Sequence, residues 1–391
     1  MREHKITVGL DAKRAVSNAT GLGSYARTLI NDLTKTNSSN DFSFLLYAPD
    51  KGKENLVSQI NTDTNLQFVC PKQYKIKLLR DLWREKGIVK DLMRDKVDIF
   101  HGLSGQLPHG IKTSGIKSVV TIHDLIFFVH PEFYNPIDVW IYKQKFFSAL
   151  KEADKIIAIS ECTKRDILRF GNTKGIKPLV SEDKIQVIYQ SYNKIFDNPV
   201  SEEKKAEIKR RLSLPDRFIL NVGTVESRKN ILLCVKAMEE VCDDVNLVIV
   251  GKITTYTRKV IDYVNSHNLH ERVHIYNNVS NEELKTVYSL AEIFVYPSLY
   301  EGFGIPVIEA IANNLPVIAA KGSCLEEAGG EDSFYINPFD VKDAADMINM
   351  LLNSKDKRLT AVNKSKEYIK KFSDTHIADK ISALYQSVIA Q

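Results

Sequence analysis

Short apolar runs rich in β-branched residues recur along the whole chain. In the first half they are Ile6 to Leu10, Phe42 to Tyr47, Leu66 to Cys70, Val97 to Phe100, Val119 to Ile122, Ile156 to Ile159 and Ile185 to Tyr189. The second half repeats the pattern with Phe218 to Val222, Leu247 to Val250, Val273 to Tyr276, Ile293 to Tyr296, Pro316 to Ala319 and Phe334 to Ile336. Most runs are continuous rather than alternating, as in strands that are buried on both faces of a parallel sheet. Helical patterns lie between many of them. Ser280 and Glu283 have the spacing of a capping box and predict a helix through Leu290. Ser160 is predicted to cap a helix carrying Thr163 to Phe170. Strand alternating with helix over the whole length predicts an α/β protein with helices on both sheet faces.

The polar stretch Tyr192 to Asp216, with Pro199, Pro215 and a charge run from Ser201 to Arg211, is the expected domain boundary. Two doubly wound domains with a crevice between them follow, and 391 residues are too many for one ordinary core. In such sheets ligands bind beyond the carboxyl ends of the strands, so the residues just after each run carry the interest. Hydrophobic residues at 43% and charged residues at 26% exclude disorder, and 18 glycines with 12 prolines exclude a fibrous chain. No uncharged apolar run has the length of a membrane span, and the charged start at Arg2, Glu3 and Lys5 is unlike a signal peptide. Cys70, Cys162, Cys234, Cys242 and Cys324 are scattered without a CxxC pair and read as buried thiols of a reducing cytoplasm.

Charge divides unevenly. Residues 1–195 hold 30 basic against 21 acidic side chains, while the remainder holds 24 against 28. Lys72 to Lys96 alone has nine basic and four acidic residues, interleaved with Tyr74, Ile76, Leu78, Leu79, Leu82 and Trp83. Such a basic amphipathic segment can lie on an anionic bilayer; a solvated helix packed on its own domain is the alternative.

Four constellations could carry chemistry. Gly21-Leu22-Gly23-Ser24-Tyr25-Ala26 fits a dinucleotide fingerprint, but ten residues separate it from the strand it should follow. It reads as a mobile glycine loop before a helix from Tyr25 to Leu33, or as a plain turn. His123 stands at a strand's carboxyl end, where a ligand contact and a structural hydrogen bond are both open. Arg228 and Lys229 follow the strand ending at Val222 and the Gly223 turn, and a forked guanidinium beside an ammonium suits an anion. The fourth is the run Tyr296 to Ala310. Gly302 and Gly304 expose backbone, and Pro306 suits a first helical turn. Glu301 and Glu309 are then carboxylates able to accept hydrogen bonds from sugar hydroxyls. Apolar neighbours on both sides of Glu309 make an idle charge there costly.

Glu301 and Glu309, with Gly302-Phe303-Gly304 between them, resemble the E-x7-E signature of the family 4 retaining glycosyltransferases (glycosyl transferases group 1). The glycine loop at Gly21–Gly23, the histidine strand Thr121–Asp124, the helix start Ser160–Thr163 and the loop Gly223…Arg228-Lys229-Asn230 resemble that family's other motifs, in the family's order. The resemblance implies the GT-B architecture: α/β, two Rossmann-like doubly wound domains facing a central cleft. It implies an acceptor-binding domain over residues 1–195, a nucleotide-sugar-binding domain over 196–372, and a helix over 373–391 packing back on the first.

Carried over by position, the resemblance implies that Arg228 and Lys229 neutralise the donor diphosphate and that Glu309 binds the ribose. Glu301, with the Phe303 and Gly304 backbone, would hold the donor sugar, and His123 would contact it near the reacting carbon. Gly23 would lie by the phosphates or the acceptor, and Ser323 and Leu325 near the distal phosphate or nucleotide. The catalytic set is thus His123, Glu301, Arg228 and Lys229. The loop Val225-Glu226-Ser227 departs from the family's common small-residue pattern. Phe100-His101-Gly102-Leu103-Ser104 and the run His123 to Phe133 resemble the members acting in bacterial surface-polysaccharide and lipopolysaccharide assembly, often mannosyltransferases.

The expectation is a retaining, metal-independent transferase without cofactor. It would take a GDP- or UDP-linked sugar, with GDP-mannose favoured, and a saccharide or lipid-linked acceptor. It would bind no nucleic acid and would be cytoplasmic, with peripheral contact to the inner membrane face. Rivals are a nucleotide-sugar epimerase of the same fold, an NAD-dependent oxidoreductase, which would leave Arg228 and Lys229 unexplained, and a non-catalytic sugar-binding regulator.

Overall fold

The computed structural model describes residues 5–37, 41–61, 66–71, 76–172, 179–372 and 374–390. The chain divides into two units, one of residues 1–191 with 372–391 and one of residues 192–371. The first holds seven strands: β1 Ile6–Asp11, β2 Phe42–Tyr47, β3 Leu66–Val69, β4 Ile99–Gly102, β5 Lys117–Ile122, β6 Lys155–Ala158 and β7 Ile185–Val187. The second holds six: β8 Phe218–Val222, β9 Asn246–Val250, β10 Val273–Tyr276, β11 Ile293–Tyr296, β12 Val317–Ala320 and β13 Phe334–Ile336. Every apolar run named above forms one of these strands, and all their pairings are parallel. β4, β11 and β12 are buried at every position. Both faces are covered, so burial selects continuous apolar runs in place of alternation.

Strand order is β3-β2-β1-β4-β5-β6-β7 in the first sheet and β10-β9-β8-β11-β12-β13 in the second. In each, the chain winds outward one way and then returns to wind the other. The reversals fall between β1 and β4 and between β8 and β11. Loops leaving those paired strands part in opposite directions and open a crevice at their carboxyl ends.

The predicted caps are present. The Ser160 hydroxyl accepts from the Thr163 amide at 3.0 Å and opens the helix Glu161–Gly171. Ser280 and Glu283 form a reciprocal capping box on the helix Asn281–Leu290. The second unit begins at Tyr192, where the expected boundary stretch starts, and that stretch contains the helix Glu202–Leu212, capped by Ser201 and packed on the helix Asn281–Leu290. One expectation changes: Cys70 is half-buried and Cys242 exposed, so the cysteines are not all buried. Among the described residues no helix is long and apolar enough to cross a membrane.

The helix Asp374–Ile389 packs on the helix Gly21–Thr36 in the first unit, burying Ile377, Ile381, Leu384 and Val388 with Leu29 and Ile30. Tyr385 reaches the sheet, where its hydroxyl lies 2.7 Å from His101 Nδ1, and His101 Nε2 lies 2.8 Å from Thr121 Oγ1. Burial holds His101 neutral, its pKa lowered to about 3. Tyr385→Phe removes the polar partner of Nδ1 in that dry core. It is expected to cost about 1–3 kcal/mol, read as a shift in urea midpoint without a change in slope. A variant as stable as the parent would contradict this.

Candidate active site

The second sheet's reversal point gathers the third and fourth constellations. β8 ends at Val222, and residues 227–229 then make a short 3-10 turn that presents Arg228 and Lys229. The neighbouring β11 ends at Tyr296 and delivers Ser298, Tyr300 and Glu301. Backbone contacts lock the two loops together. Leu299 N donates to Arg228 O at 2.9 Å, Arg228 Nη1 donates to Tyr300 O at 2.9 Å, and the Asn230 side chain donates to Pro297 O and Pro338 O.

Glu301 lies at the centre, its side chain 12% exposed. Oε1 accepts from Lys229 Nζ at 2.5 Å, from Ser298 Oγ at 2.6 Å and from Tyr296 OH at 3.1 Å, while Arg228 Nη1 stands 3.1 Å from Oε2. Burial alone would push this carboxyl up. Lys229 and Arg228, with the Lys229 and Ser298 hydrogen bonds, outweigh it and hold Glu301 ionised, its pKa down at about 2. The Lys229 ammonium also donates to Tyr296 OH at 2.7 Å. Burial draws its pKa below the usual lysine value against the pull of Glu301, with Arg228 adding to the fall. Glu226, in the loop that departs from the family pattern, accepts from Arg228 Nη2 at 2.6 Å. Each cation at this site therefore has a carboxylate partner.

Glu309 sits in the first turns of the helix Ile305–Ala312 and accepts from Tyr288 OH at 3.2 Å. Burial raises its carboxyl to about 7, and the Tyr288 hydrogen bond only partly opposes that rise. Gly304 caps the helix at φ 114°, and a Cβ there would lie 2.7 Å from Leu325 Cδ2. Glycine is required on both counts. The segment 323–325 thus packs against 301–304, and Cys324 Sγ donates to Glu301 O and Phe303 O. Ser323 is buried and its hydroxyl accepts from Leu325 N at 3.4 Å. The structure therefore gathers Arg228, Lys229, Glu301, Phe303, Gly304, Ser323 and Leu325 around one short stretch of backbone.

Gly23 and His123 belong to the first unit and stand in a different setting. Gly21 and Gly23 are not a loop: they lie in the first turn of the helix Gly21–Thr36, which starts earlier than the expected Tyr25. A Cβ on Gly23 would sit 1.8 Å from Asn18 O, so the glycine lets the helix start press on the preceding turn. Arg27 fastens that turn by donating to Ala15 O and Asn18 O, both at 2.8 Å. The His123 ring has a partner on each nitrogen. Nε2 is 2.8 Å from Leu103 O and Nδ1 is 2.9 Å from Gln190 Nε2, so Nε2 carries the proton and Nδ1 accepts from the amide. Tyr25 packs edge-on to the ring at 4.6 Å. Burial, opposed by the Leu103 hydrogen bond, brings its pKa down to about 4, so it is neutral at physiological pH.

The basic segment needs correction. Residues 72–75 lie outside the described residues. Trp83 is 3% exposed, and its indole donates to Asp91 Oδ2 at 2.7 Å. Arg84 turns inward to a buried ion pair with Asp11, and Arg80 pairs with Asp50 at 3.0 Å. Ile76, Leu78, Leu79 and Leu82 do face outward, with Leu78 75% exposed. The neighbouring Lys86 and Lys90 are exposed as well. Tyr288, Tyr296, Ser298, Glu226 and Gln190 were not singled out by sequence. Tyr296 and Ser298 carried a signal as neighbours of Glu301 at a strand's end, and Glu226 only as part of the loop that departs from the family's pattern.

Comparison with known proteins gives a consistent family. Residues 19–193 match the model described as Glycosyltransferase Family 4, and residues 202–368 match Glycosyl transferases group 1. The O-antigen chain mannosyltransferase RfbU of Salmonella typhimurium is 31% identical over 226 residues, 58% of each chain. O-antigen chain mannosyltransferase B of Escherichia coli is 27% identical over 255 residues, 64% of each. The match thus spans less than two thirds of the length of these relatives. Among solved structures, sucrose-phosphate synthase from Thermosynechococcus elongatus superposes with a TM-score of 0.77 at 21% identity, covering 98% of this chain and 99% of that one. A glycosyltransferase from Rickettsia africae gives 0.76 at 19%, with coverage of 98% and 99%. Anabaena HepE, solved with UDP and glucose, gives 0.74 at 16%, with coverage of 98% and 100%.

Glu301→Gln leaves Lys229 without a full counter-charge and is expected to cost about 3 kcal/mol at pH 7. Because the folded pKa of Glu301 is depressed, its stabilisation is present above about 4.5 and fades as pH falls towards about 2. Urea unfolding of parent and variant should therefore converge as pH drops through that window. A stability difference that stays constant from pH 7 to pH 3 would refute the assignment.

Proposed function

The chain belongs to the glycosyltransferases, its first half to family 4 and its second to group 1, and on that premise we propose that it moves a sugar, with mannose from GDP-mannose favoured, from a nucleotide-sugar donor to a saccharide or lipid-linked acceptor. The observation that carries the reading is the pair of cations at the second sheet's reversal point, held ready around Glu301 and one loop away from Glu309. Mannosyltransferases of O-antigen synthesis among the relatives support mannose and surface-polysaccharide assembly.

In this reading the donor diphosphate replaces carboxylate charge around Arg228 and Lys229. Breaking the bond from the anomeric carbon to the diphosphate oxygen leaves negative charge on phosphate, which the two cations stabilise from fixed positions. The acceptor oxygen bonds to the anomeric carbon on the same face, through an oxocarbenium-like state, with retention of configuration. Its proton passes to the departing diphosphate. His123, neutral and with both ring nitrogens engaged, is assigned contact with the sugar rather than proton transfer. Glu309 accepts from the ribose hydroxyls. Glu301, with the Phe303 and Gly304 backbone, holds the sugar, and Ser323 and Leu325 flank the distal phosphate or nucleotide. Gly23 lies on the phosphate or acceptor side. Side-chain cations do the work of a divalent ion, so no metal or cofactor is needed.

With saturating acceptor, turnover should persist in excess chelator. Arg228→Ala and Lys229→Ala should each lower kcat by about 10²–10³, equivalent to roughly 2.7–4 kcal/mol, while Glu309→Ala raises the donor KM more than it lowers kcat. Folded Arg228 and Lys229 variants that turn over like the parent would overturn the reading, as would activity that requires Mg²⁺ or Mn²⁺.

We also propose that the outward leucines of the helix Lys77–Leu82, beside exposed Lys86 and Lys90, rest on an anionic bilayer at the cytoplasmic face. Co-sedimentation with anionic vesicles should fall at least tenfold for Leu78→Ser/Leu82→Ser, and for Lys86→Glu/Lys90→Glu it should fall and lose the parent's dependence on salt. Equal binding to neutral vesicles would contradict it.

A further inference from the structure

His123 lines a cavity of ≈ 260 Å³ in the first unit, together with Ser104, Gly105 and Asp124. Gln190, whose amide meets the ring at Nδ1, is 8% exposed and stands outside that lining. It reaches the imidazole from the protein side, on the segment that follows β7.

The two partners of the ring fix where its proton sits. A carbonyl oxygen only accepts, so Nε2, 2.8 Å from Leu103 O, carries hydrogen. In a neutral imidazole the other nitrogen is then an acceptor, and the Gln190 amide supplies the N–H at 2.9 Å. A second proton on Nδ1 would point at that N–H. Burial also disfavours it, bringing the His123 pKa down to about 4 against the pull of the Leu103 bond. The titratable groups nearest the ring carry no charge: burial holds Tyr25 up at about 12 and His101 down at about 3. Asp124 adjoins His123 in the chain, and Lys13, Arg14, Arg84 and Lys145 share the cavity.

Gln190 is itself held in place from both sides. Ser191 Oγ donates to Asp32 Oδ2 at 2.9 Å, and the Tyr189 ring packs edge-on against Phe372 at 5.2 Å. Asp32 and Tyr25 lie on the same helix, Gly21–Thr36, which therefore anchors the Gln190 segment and one edge of the imidazole together. An apolar side chain of similar volume would be buried there at less cost. The amide is explained by the ring nitrogen that it meets.

We infer that Gln190 is a positioning residue for His123, its amide keeping the proton on Nε2 and the imidazole uncharged and fixed in orientation. On the transferase reading, on which this rests, the ring contacts the donor sugar; how the ring is held follows from its hydrogen bonds alone. An uncharged ring suits a carbon that becomes positive as the diphosphate departs, because an imidazolium there would oppose that charge.

Imidazole NMR and calorimetry test it together. The chain has nine histidines, and His123→Gln identifies the resonances of interest in protein carrying isotope-labelled histidine. At pH 7 the parent should show a protonated Nε2 and a hydrogen-bonded, unprotonated Nδ1. Gln190→Met keeps the side-chain length without the donor, so Nδ1 should lose its hydrogen-bond shift while the ring stays neutral. Gln190→Glu puts a carboxylate in place of the donor, so Nδ1 should become protonated at the same pH. GDP-mannose affinity should fall roughly fivefold in Gln190→Met, with GDP affinity unchanged and a cooperative thermal melt retained. A parent ring protonated on Nδ1, or an Nδ1 resonance indifferent to both substitutions, would overturn the inference. So would a Gln190→Met variant that binds GDP-mannose like the parent. Failure of the parent to bind GDP and GDP-mannose, with the NMR result as expected, would uphold the placement of the ring and count instead against the transferase reading.

Discussion

Taking a carboxylate, an ammonium and a guanidinium out of water together costs several kcal/mol per ion unless they satisfy one another. Glu301, Lys229 and Arg228 do so, with Ser298 and Tyr296 filling the remaining positions on the carboxylate. That cluster ties the loop after β8 to the loop after β11, and the loop at Leu325 then packs on the Gly304 backbone. Without a ligand the cations are balanced from within the protein, by Glu301 and Glu226. A diphosphate arriving there would find positive charge already oriented and would exchange one set of anionic oxygens for another. This preorganisation is the property a phosphate-leaving reaction needs most.

The scaffold supplies the place before it supplies the chemistry. In both sheets the winding reverses once, and each reversal lies near the residues of interest: Arg228 and Glu301 after β8 and β11, and His123 after β5, bonded to Leu103 O after β4. His101 lies deep in the first sheet, and there Thr121 and Tyr385 satisfy both ring nitrogens. Through Tyr385 the last helix of the chain contributes to the order of the strand ends beside His123.

The thirteen described strands were legible as apolar runs, most of them continuous, because burial on both faces of the central strands leaves little freedom in composition. The caps at Ser160 and Ser280 were legible because capping is local. Glu301, Glu309, Arg228 and Lys229 stood out by position after strands. What depends on tertiary contact did not. Gly23 carries a loop-like signature, yet it lies in a helix whose start presses on Asn18 O, a contact that no local pattern encodes. Trp83 and Arg84 look like part of a surface stripe, but Asp91 and Asp11 draw them inward. Glu226 read only as a departure from a pattern, and its ion pair with Arg228 gives that departure a physical role.

The central claim is that the diphosphate of a nucleotide sugar lies on Arg228 and Lys229. A crystal structure of the protein with bound nucleoside diphosphate tests it most directly. The account predicts diphosphate oxygens within hydrogen-bond distance of the Arg228 guanidinium and Lys229 Nζ, Glu301 released from at least one of them, and the ribose hydroxyls on Glu309. A diphosphate held elsewhere, with the Glu301–Lys229 pair undisturbed, would contradict it.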